Sequence, residues 1–182
     1  MSAHPKEFYF THPNPLGQFR IYLIGEKISR VQLRAKETQA RPLPKSKIPN
    51  TYLQFLDAYC SGQPVRAQKD WLHSAATPFA QRIYHALIQV PFGQVISYGA
   101  LAQQAGYTPG HARAVGQIMN NNPWPLFVPC HRVIGSGNRL GGFGAGLELK
   151  IAMLKHEGVC LSPDPNQATA FHMPLERVTH AF

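Results

Sequence analysis

The chain has few acidic residues, few cysteines and no long apolar stretch, and each shortage excludes a class of protein. Nine Asp and Glu stand against 18 Lys and Arg, which gives a formal net charge of +9. That surplus favours a polyanionic partner, most simply nucleic acid. No apolar run approaches the ~20 residues of a transmembrane helix, and residues 1–7 lack the apolar centre of a signal peptide. We therefore expect a cytoplasmic protein with no membrane partner.

The cysteines are three in number, Cys60, Cys130 and Cys160. A sparse, odd set is not a disulfide framework and is typical of a reducing compartment. No two of them have the short spacing of a zinc site, so we expect no metal. Cys60 is interpreted as a small apolar residue on a helix face, and Cys160 as inert.

The composition changes near residue 77, which predicts two domains and a tail. Residues 1–76 form the first domain, with strands over residues 7–34 and a polar, Pro-rich, exposed loop over residues 36–49. Its strands alternate apolar and polar positions. Their apolar positions are Phe19, Ile21, Leu23, Ile28, Val31 and Leu33. A helix follows the loop and carries Leu53, Leu56 and Cys60 on one face. Residues 77–160 form the second domain, and residues 161–182 form an extension on the surface.

Hydroxyl residues mark three helix starts in the second domain. Thr77 precedes Pro78 and begins a helix whose buried stripe is Phe79, Ile83 and Leu87. Ser97 caps a second helix. Thr108, followed by Pro109, caps a third helix that runs to about Asn121.

The second and third helices are short and are separated by a turn at Gly106 and Tyr107. On the third helix, one side carries Ala112, Val115, Gly116 and Met119, and the other carries Arg113, Gln117, Asn120 and Asn121. A helix pair with one polar face fits a DNA-binding helix-turn-helix. It also fits an ordinary helical hairpin with a solvated face, and spacing alone leaves both interpretations open.

Cys130 and His131 follow an apolar run and precede a Gly-rich segment, residues 135–146. A thiol beside an imidazole is a candidate nucleophile, although a lone cysteine in apolar surroundings is commonly only a packing residue. On an extended chain the two side chains point to opposite sides, so a bridging water is the more natural link. Glu157 is the candidate carboxylate that orients the histidine. It ends a helix that carries Leu147, Ile151 and Leu154 and stops at Gly158. The Gly-rich segment is interpreted as the wall of a pocket.

The motif Pro129, Cys130, His131, Arg132 and Val133 resembles the active-site signature of the O6-alkylguanine-DNA alkyltransferases, also called methylated-DNA–protein-cysteine methyltransferases. Further stretches resemble the same family in the same order. They are residues 93–102, 112–116, 122–125 and 154–158. The resemblance covers residues 76–160 and, more loosely, residues 55–69.

The resemblance implies a fold and a set of catalytic roles. The fold would be a ribonuclease-H-like α/β N-terminal domain, with a small antiparallel sheet and helices, followed by a mainly α C-terminal domain with a winged-helix-like helix-turn-helix. Cys130 would accept the alkyl group from O6 of guanine, and possible substrates extend to O4-alkylthymine. His131 would take the thiol proton through a water, and Glu157 would orient the imidazole. Asn122 would brace the turn, and Tyr98 would donate a proton or hydrogen bond to the leaving base.

The same resemblance implies how DNA is bound. Arg113 would fill the space of a flipped nucleotide, and the recognition helix would lie in the minor groove. Its small or polar contact residues would be Ala112, Ala114, Gly116 and Gln117. Backbone groups of Val133 and Gly144 would line the guanine pocket. The product would be a stable thioether, so each protein molecule would be consumed after one reaction. The protein would act on double-stranded DNA as a monomer and without a cofactor.

The sequence also departs from the family pattern. His111 stands where a small residue is usual, and Phe143 and Gly144 offer no hydroxyl to the pocket. No cysteine precedes Cys60, so the N-terminal zinc site of some relatives is not expected. Two other functions remain as alternatives: a Cys–His hydrolase, which would turn over repeatedly, and a non-catalytic DNA-binding regulator, which would not need Cys130.

Overall fold

The structure is a computed structural model that describes residues 7–34, 38, 40–73, 76–161 and 170–171. The first described residues form an antiparallel meander. Strand β1 (Glu7–Asn14) pairs with β2 (Gly17–Ile24), and β2 pairs with β3 (Lys27–Gln32). Gly25 supplies the positive φ, +60°, of the turn between β2 and β3, a conformation that costs glycine little. The apolar positions predicted for these strands are confirmed. Phe19, Ile21, Leu23, Ile28, Val31 and Leu33 are all buried.

The predicted small antiparallel sheet is present in β1 to β3, but a fourth strand makes the sheet mixed. Strand β4 (Arg41–Pro42) runs parallel to β1, and the order is β3-β2-β1-β4. The residue before a proline favours the extended region, and the backbone N–H of Leu43 donates to the carbonyl of Tyr9 at 2.6 Å. The predicted loop over residues 36–49 therefore contains a strand and a 3₁₀ turn (Lys45–Lys47).

Helix α1 (Asn50–Cys60) forms where predicted but buries a different face. Its buried residues are Tyr52, Phe55, Leu56 and Tyr59. Leu53 and Cys60, predicted to share the stripe with Leu56, are only partly buried. Aromatic side chains bury more area than leucine or cysteine, and the ring of Phe55 stacks on that of Phe127 with 4.7 Å between centroids. The aromatic residues therefore decide which way the helix faces.

Two of the predicted helix caps are present. The Thr77 hydroxyl accepts from the backbone N–H of Ala80 at 3.3 Å and begins α2 (Pro78–Ile88). The Ser97 hydroxyl accepts from the backbone N–H of Ala100 at 3.1 Å and begins α3 (Tyr98–Gln104). In α2, Ile83 and Leu87 are fully buried and Phe79 is partly buried.

The third predicted cap, Thr108, does not cap a helix. Residues Pro109–His111 form a 3₁₀ turn, and the Thr108 hydroxyl pairs with Nδ1 of His111 at 3.0 Å. With its hydroxyl engaged by this ring, Thr108 precedes the 3₁₀ turn without a side-chain capping hydrogen bond, and α4 (Ala112–Asn120) begins later than predicted. The two faces of α4 are as predicted, because Val115 and Met119 are buried and the polar residues are exposed.

Short strands complete the second half of the chain. Strand β5 (Ile96–Ser97) pairs in parallel with β6 (Val133–Ile134), which joins the start of α3 to the segment after Cys130. Helix α5 (Leu147–His156) precedes a pair made by β7 (Cys160–Leu161) and β8 (Ala170–Phe171). The remainder of the predicted extension, residues 162–169 and 172–182, lies outside the described residues.

One hydrophobic core joins the sheet to the helices, and the whole is an α/β arrangement of a mixed sheet with helices. The core cluster includes Phe10 and Ile21 from the sheet and Leu87, Leu101 and Met153 from the helices. None of the described helices is long and apolar enough to cross a membrane. The domain boundaries at residues 76/77 and 160/161 stay a prediction.

Candidate active site

Cys130 lies in a tight turn at the end of a buried segment. Leu126, Phe127 and Val128 are buried, and residues Cys130–Arg132 form a 3₁₀ turn. The chain at Cys130 and His131 is therefore a turn and not extended, so the expectation based on an extended chain does not apply to these two side chains. The backbone N–H of Arg132 donates to the Pro129 carbonyl at 2.9 Å at the start of this turn, and just before it the backbone N–H of Cys130 donates to the Val128 carbonyl at 2.8 Å. Cys130 is 7% exposed, so its thiol meets solvent only through a small opening.

Asn122, predicted to brace the turn, is hydrogen-bonded to the segment that leads into it. Its side-chain Nδ2 donates to the Val128 carbonyl at 2.9 Å, and its Oδ1 accepts from the Trp124 backbone at 3.1 Å. The same segment is fixed to the sheet, because the indole N–H of Trp124 donates to the Ile28 carbonyl at 2.9 Å. The Val31 backbone N–H also donates to the Pro123 carbonyl at 2.7 Å. Strand β3 thus holds the loop that carries the cysteine.

His131 and Glu157 form the predicted pair. Nε2 of His131 lies 2.6 Å from Oε1 of Glu157, and both side chains are fully buried. Glu157 is the residue directly after α5, and its Oε2 also accepts from the Gly93 backbone at 3.1 Å. A Cβ on Gly93 would lie 2.8 Å from the Glu157 carbonyl oxygen, so this close approach requires glycine.

Arg132 completes a buried charge cluster that sequence reasoning did not identify. Its Nε and Nη2 donate to the two Glu157 oxygens at 2.8 and 3.0 Å, and its Nη1 donates to the Val90 carbonyl at 2.7 Å. The bidentate geometry is the strongest that arginine offers a carboxylate. Arg132 belongs to the motif at residues 129–133, but only the folded structure shows that its partner is Glu157.

The electrostatics of the cluster fix the protonation states. Burial alone would raise the pKa of Glu157, but the charges and hydrogen bonds of His131 and Arg132 outweigh it and lower that pKa to about 2. Burial lowers the pKa of His131, although Glu157 opposes this change. Because burial lowers this pKa, and the charges of Arg132 and Lys150 add to the change, the imidazole is neutral near pH 7.

The tautomer of His131 follows from these states. An ionised carboxylate only accepts hydrogen bonds. Nε2 of His131 therefore carries a proton and donates a hydrogen bond to Glu157. Nδ1 then carries a lone pair. This Nδ1 is buried and has no hydrogen-bond partner among the described residues. The histidine is thus set to take a proton at Nδ1.

The Cys130 thiol needs such an acceptor. Burial raises its pKa, although a hydrogen bond from Asn122, the charge of Lys150 and nearby backbone groups oppose the change. The thiol is therefore protonated at neutral pH, and the nucleophilic thiolate forms only when a base removes the proton.

Lys150 is a second functional candidate that sequence reasoning missed. It is fully buried, and its Nζ donates to the carbonyls of Val133 (2.6 Å) and Leu140 and approaches that of Gly142 (3.5 Å). Burial lowers its pKa to about 8, although Cys130 opposes the change. Its ammonium group ties the Gly-rich segment to β6.

Helical spacing was the available signal for Lys150. The face of α5 that is buried carries Leu149, Lys150, Met153 and Leu154. Of the residues predicted to face inward, Leu154 is buried, Ile151 is partly buried and Leu147 is 42% exposed. The helix is rotated from the predicted orientation because the long stem of Lys150 packs inward while its ammonium group binds carbonyls.

A cavity of about 170 Å³ opens onto Cys130. Its lining residues are Tyr98, Gly116, Met119, Asn120, Cys130, Gly142, Phe143 and Gly144. Gly144, predicted to line the guanine pocket, borders this cavity. Val133, predicted to line the same pocket, is fully buried in β6, is not among the lining residues, and accepts a hydrogen bond from Lys150 at its carbonyl. Burial raises the pKa of Tyr98, and the nearby Cys130 adds to the rise. The phenol therefore stays protonated at neutral pH.

Helix α4 borders this cavity through Gly116, Met119 and Asn120, and the same helix carries the predicted contact residues. Arg113, Ala114 and Gln117 are exposed, and Ala112 and Gly116 are partly buried. A Cβ on Gly116 would lie 4.0 Å from the ring of Tyr98. His111 is also exposed, and its ring packs against those of Phe79 and Tyr107 with 5.9 and 5.4 Å between centroids.

Cys60 and Cys160 lie outside this site. Cys60 ends α1, and Cys160 is exposed in β7. Within the described residues, no group of three or more His, Cys, Asp or Glu side chains could hold a metal ion.

The part of the chain that carries this site is similar in sequence to known proteins. Residues 78–159 match the family model described as 6-O-methylguanine DNA methyltransferase, DNA binding domain. A methylated-DNA–protein-cysteine methyltransferase of Mycobacterium tuberculosis is 33% identical over 152 residues, which cover 82% of this chain and 91% of that protein. One of Mycobacterium leprae is 44% identical over 102 residues, which cover 56% of this chain and 61% of that protein.

Solved structures show the same similarity in three dimensions. The M. tuberculosis OGT crystallised in complex with DNA superposes with a TM-score of 0.70 at 32% identity, covering 90% of this chain and 96% of that one. The O6-methylguanine-DNA methyltransferase of Pyrococcus kodakaraensis superposes with a TM-score of 0.60 at 23% identity, covering 84% of this chain and 99% of that one, which supports the fold alone.

Proposed function

Because this chain belongs to the methylated-DNA–protein-cysteine methyltransferase family, we propose that Cys130 is the residue that takes the alkyl group. The protein repairs DNA by direct reversal, transferring the alkyl group of O6-alkylguanine to a cysteine. The observation that carries the assignment is that Cys130 borders a cavity beside His131. Among the described residues, Nδ1 of His131 has no hydrogen-bond partner, while its Nε2 is hydrogen-bonded to Glu157.

The proton of the Cys130 thiol passes to Nδ1 of His131 through a bridging water. Within the described residues this Nδ1 has no hydrogen-bond partner, so its lone pair is free to accept from that water. As the imidazole becomes positive, the ionised Glu157 stabilises it, and Arg132 keeps the carboxylate ionised and oriented. Glu157 and Arg132 are positioning residues in this scheme.

The thiolate then attacks the alkyl carbon. A carbon–sulfur bond forms, the bond from that carbon to O6 breaks, and the electron pair moves into the guanine ring system. Tyr98 borders the cavity and stays protonated. It donates a hydrogen bond or a proton to a ring nitrogen as the base leaves, which stabilises the developing negative charge.

The target nucleotide must leave the helix to reach Cys130. A base in the duplex stack does not present its O6 substituent to a buried thiol, so the nucleotide is flipped into the cavity. Helix α4 enters the minor groove, where the small side chains of Ala112, Ala114 and Gly116 allow close approach and Gln117 contacts the DNA. Arg113 occupies the space that the flipped nucleotide leaves. Backbone groups of Gly144 contact the guanine.

Several wider properties belong to the same proposal. The α3–α4 pair is a winged-helix-like helix-turn-helix, and the sheet with α1 is a ribonuclease-H-like domain. The protein is a cytoplasmic monomer that needs no cofactor. The thioether on Cys130 is not displaced by water, so each molecule acts once.

A stoichiometry assay tests this proposal. The protein is incubated with excess duplex that carries a labelled O6-methylguanine, and label bound to protein is counted over time. We expect a plateau at one methyl group per molecule for the unmodified protein. Cys130→Ser should bind the duplex and take up no label, whereas Cys160→Ser should match the unmodified protein. Uptake by Cys130→Ser, or release of product beyond one equivalent, would contradict the proposal.

A further inference from the structure

A cleft of about 660 Å³ lies between the segment after α1 and the outer side of α2. Its basic residues are Arg66, Lys69, Arg82 and His85, and we call it the basic cleft. Of the described residues that line it, Asp70 is the one with a carboxylate. Three fixed positive charges against one negative charge favour an anionic ligand.

The cations of the basic cleft are available for binding. Arg66, Lys69 and Arg82 all reach solvent. Arg66 donates to the side-chain carbonyl of Gln89 at 3.0 Å, which holds its guanidinium at the cleft. In the described part of the chain, neither Lys69 nor Arg82 forms an ion pair.

Neutral donors complete the lining. The carboxamides of Gln68, Gln89 and Gln104 border the same space. Guanidinium, ammonium and amide groups are the side chains that bind DNA phosphates. The phosphate backbone therefore matches the cleft better than an apolar or cationic ligand.

The location of the cleft connects it to the alkyl-acceptor site through α3. Tyr98, the first residue of α3, borders the cavity at Cys130, whereas Gln104, the last, borders the basic cleft. A helix of this length spans about 9 Å between its first and last residues. Base pairs are stacked about 3.4 Å apart, so the two ends of α3 are separated by the length of about three base pairs.

The two helices at the cleft are held together. The side chain of Gln104 donates to the carbonyl of Ala86 at 3.0 Å, which fixes the end of α3 against α2. Phosphates bound in the cleft would therefore have a fixed position relative to the nucleotide in the cavity.

We propose that the basic cleft binds backbone phosphates of the DNA beside the lesion and so extends the DNA footprint beyond α3 and α4. Such contacts add affinity and fix the register of the duplex without reading sequence. The inference rests on the proposed function, because it needs a duplex placed on α3 and α4.

The test compares two triple variants of the full chain. The first, R66Q/K69Q/R82Q, removes the cations of the cleft. The second, K27Q/K45Q/K47Q, removes three exposed cations near the N-terminal sheet. Affinity for a long duplex carrying O6-methylguanine is measured by fluorescence anisotropy over a range of salt concentrations. The rate of alkyl transfer from free O6-benzylguanine, which carries no phosphate, is measured in parallel.

We expect the cleft variant to lose about two to three units of the slope of log affinity against log salt, because each neutralised phosphate contributes about 0.9. Its affinity at about 0.1 M salt should fall at least about tenfold, while its rate with the free base is unchanged. The control variant should keep most of the slope. An unchanged slope in the cleft variant, or an equal loss in both variants, would overturn the inference. Failure of the unmodified protein to transfer any alkyl group would overturn the proposed function instead.

Discussion

Nε2 of His131 and Oε1 of Glu157 lie 2.6 Å apart, with both side chains fully buried. Because Glu157 is ionised, this contact fixes the proton on Nε2 and leaves Nδ1 as the acceptor for the proton of Cys130. The contact therefore determines whether the thiol can lose its proton.

Replacing Glu157 with glutamine should slow alkyl transfer. A neutral carboxamide at this position would offer no charge to a forming imidazolium, and we expect a loss of about 10²- to 10⁴-fold, the range for general-base catalysis. The variant also leaves Arg132 buried without its carboxylate, which costs about 3–5 kcal/mol of unfolding free energy. The measurement is the single-turnover rate with free O6-benzylguanine on protein shown to be folded by circular dichroism.

Glu148→Gln is the matched control for this variant, because its side chain is 95% exposed at the start of the same helix. It should transfer at the unmodified rate. A folded Glu157→Gln protein that also transferred at the unmodified rate would remove Glu157 from the mechanism.

Acid should destabilise the fold in two steps. The pKa of His131 is lowered below its ordinary value of 6.5. Below pH 6.5 this imidazole therefore becomes protonated in the unfolded chain while it stays neutral in the folded chain. The pKa of Glu157 is lowered from 4.5 to about 2, so the stability it contributes is present above pH 4.5 and is lost as pH falls towards 2. The combined loss should be on the order of a few kcal/mol.

Urea unfolding over the acidic range, from neutral pH down to the pKa of Glu157, measures this effect. The Glu157→Gln protein should lose the lower of the two steps, since it has no carboxylate to protonate. If the two proteins showed parallel pH profiles below pH 4.5, the ordinary pKa of a glutamate, the ionised state of Glu157 would not be a source of stability.

Replacing Lys150 with methionine should loosen the pocket wall. Three carbonyls, those of Val133, Leu140 and Gly142, lose their shared donor. Buried acceptors without partners cost about 1–3 kcal/mol each, and we expect a lower melting temperature together with weaker binding of O6-benzylguanine. The concentration for half-maximal transfer rate should rise more than the maximal rate falls.

Lys155→Met, exposed on the same helix, is the control for Lys150. It should leave both parameters unchanged. If Lys150→Met lowered stability but left the concentration dependence intact, Lys150 would serve the fold and not the pocket.

Arg113 should matter for duplex DNA and much less for a free base. Arg113→Ala removes the side chain proposed to replace the flipped nucleotide, and unstacking costs a few kcal/mol. We expect transfer from duplex O6-methylguanine to fall at least about tenfold, and transfer from free O6-benzylguanine to change little. Both rates are measured on the same preparation. An equal loss on the two substrates would contradict the role given to Arg113.

The parts of the fold set by local sequence were predictable. The caps at Thr77 and Ser97 need only a hydroxyl and the next turn of chain, and both are present. Thr108 has the same local pattern, yet its hydroxyl binds His111. The outcome there depends on a ring that is itself held by Phe79 and Tyr107.

The parts of the site set by packing were less predictable. Glu157 could be proposed because the chain has few acidic residues and this one lies nearby at a helix end, but its second partner, Arg132, is defined only by the folded chain. Lys150 was overlooked because lysine is expected at the surface, although its spacing from Met153 and Leu154 places it on the buried face. The predicted faces of α1 and α5 were wrong because the tertiary contacts of large side chains decide which face is buried.

The central claim is that Cys130 is a single-use alkyl acceptor. The most direct test is peptide mass mapping after incubation with duplex DNA that contains O6-methylguanine. The account predicts one added methyl group, a mass increase of one CH₂, on the peptide that contains Cys130, and none on those that contain Cys60 or Cys160. Repair of the DNA with Cys130 left unmodified would contradict it.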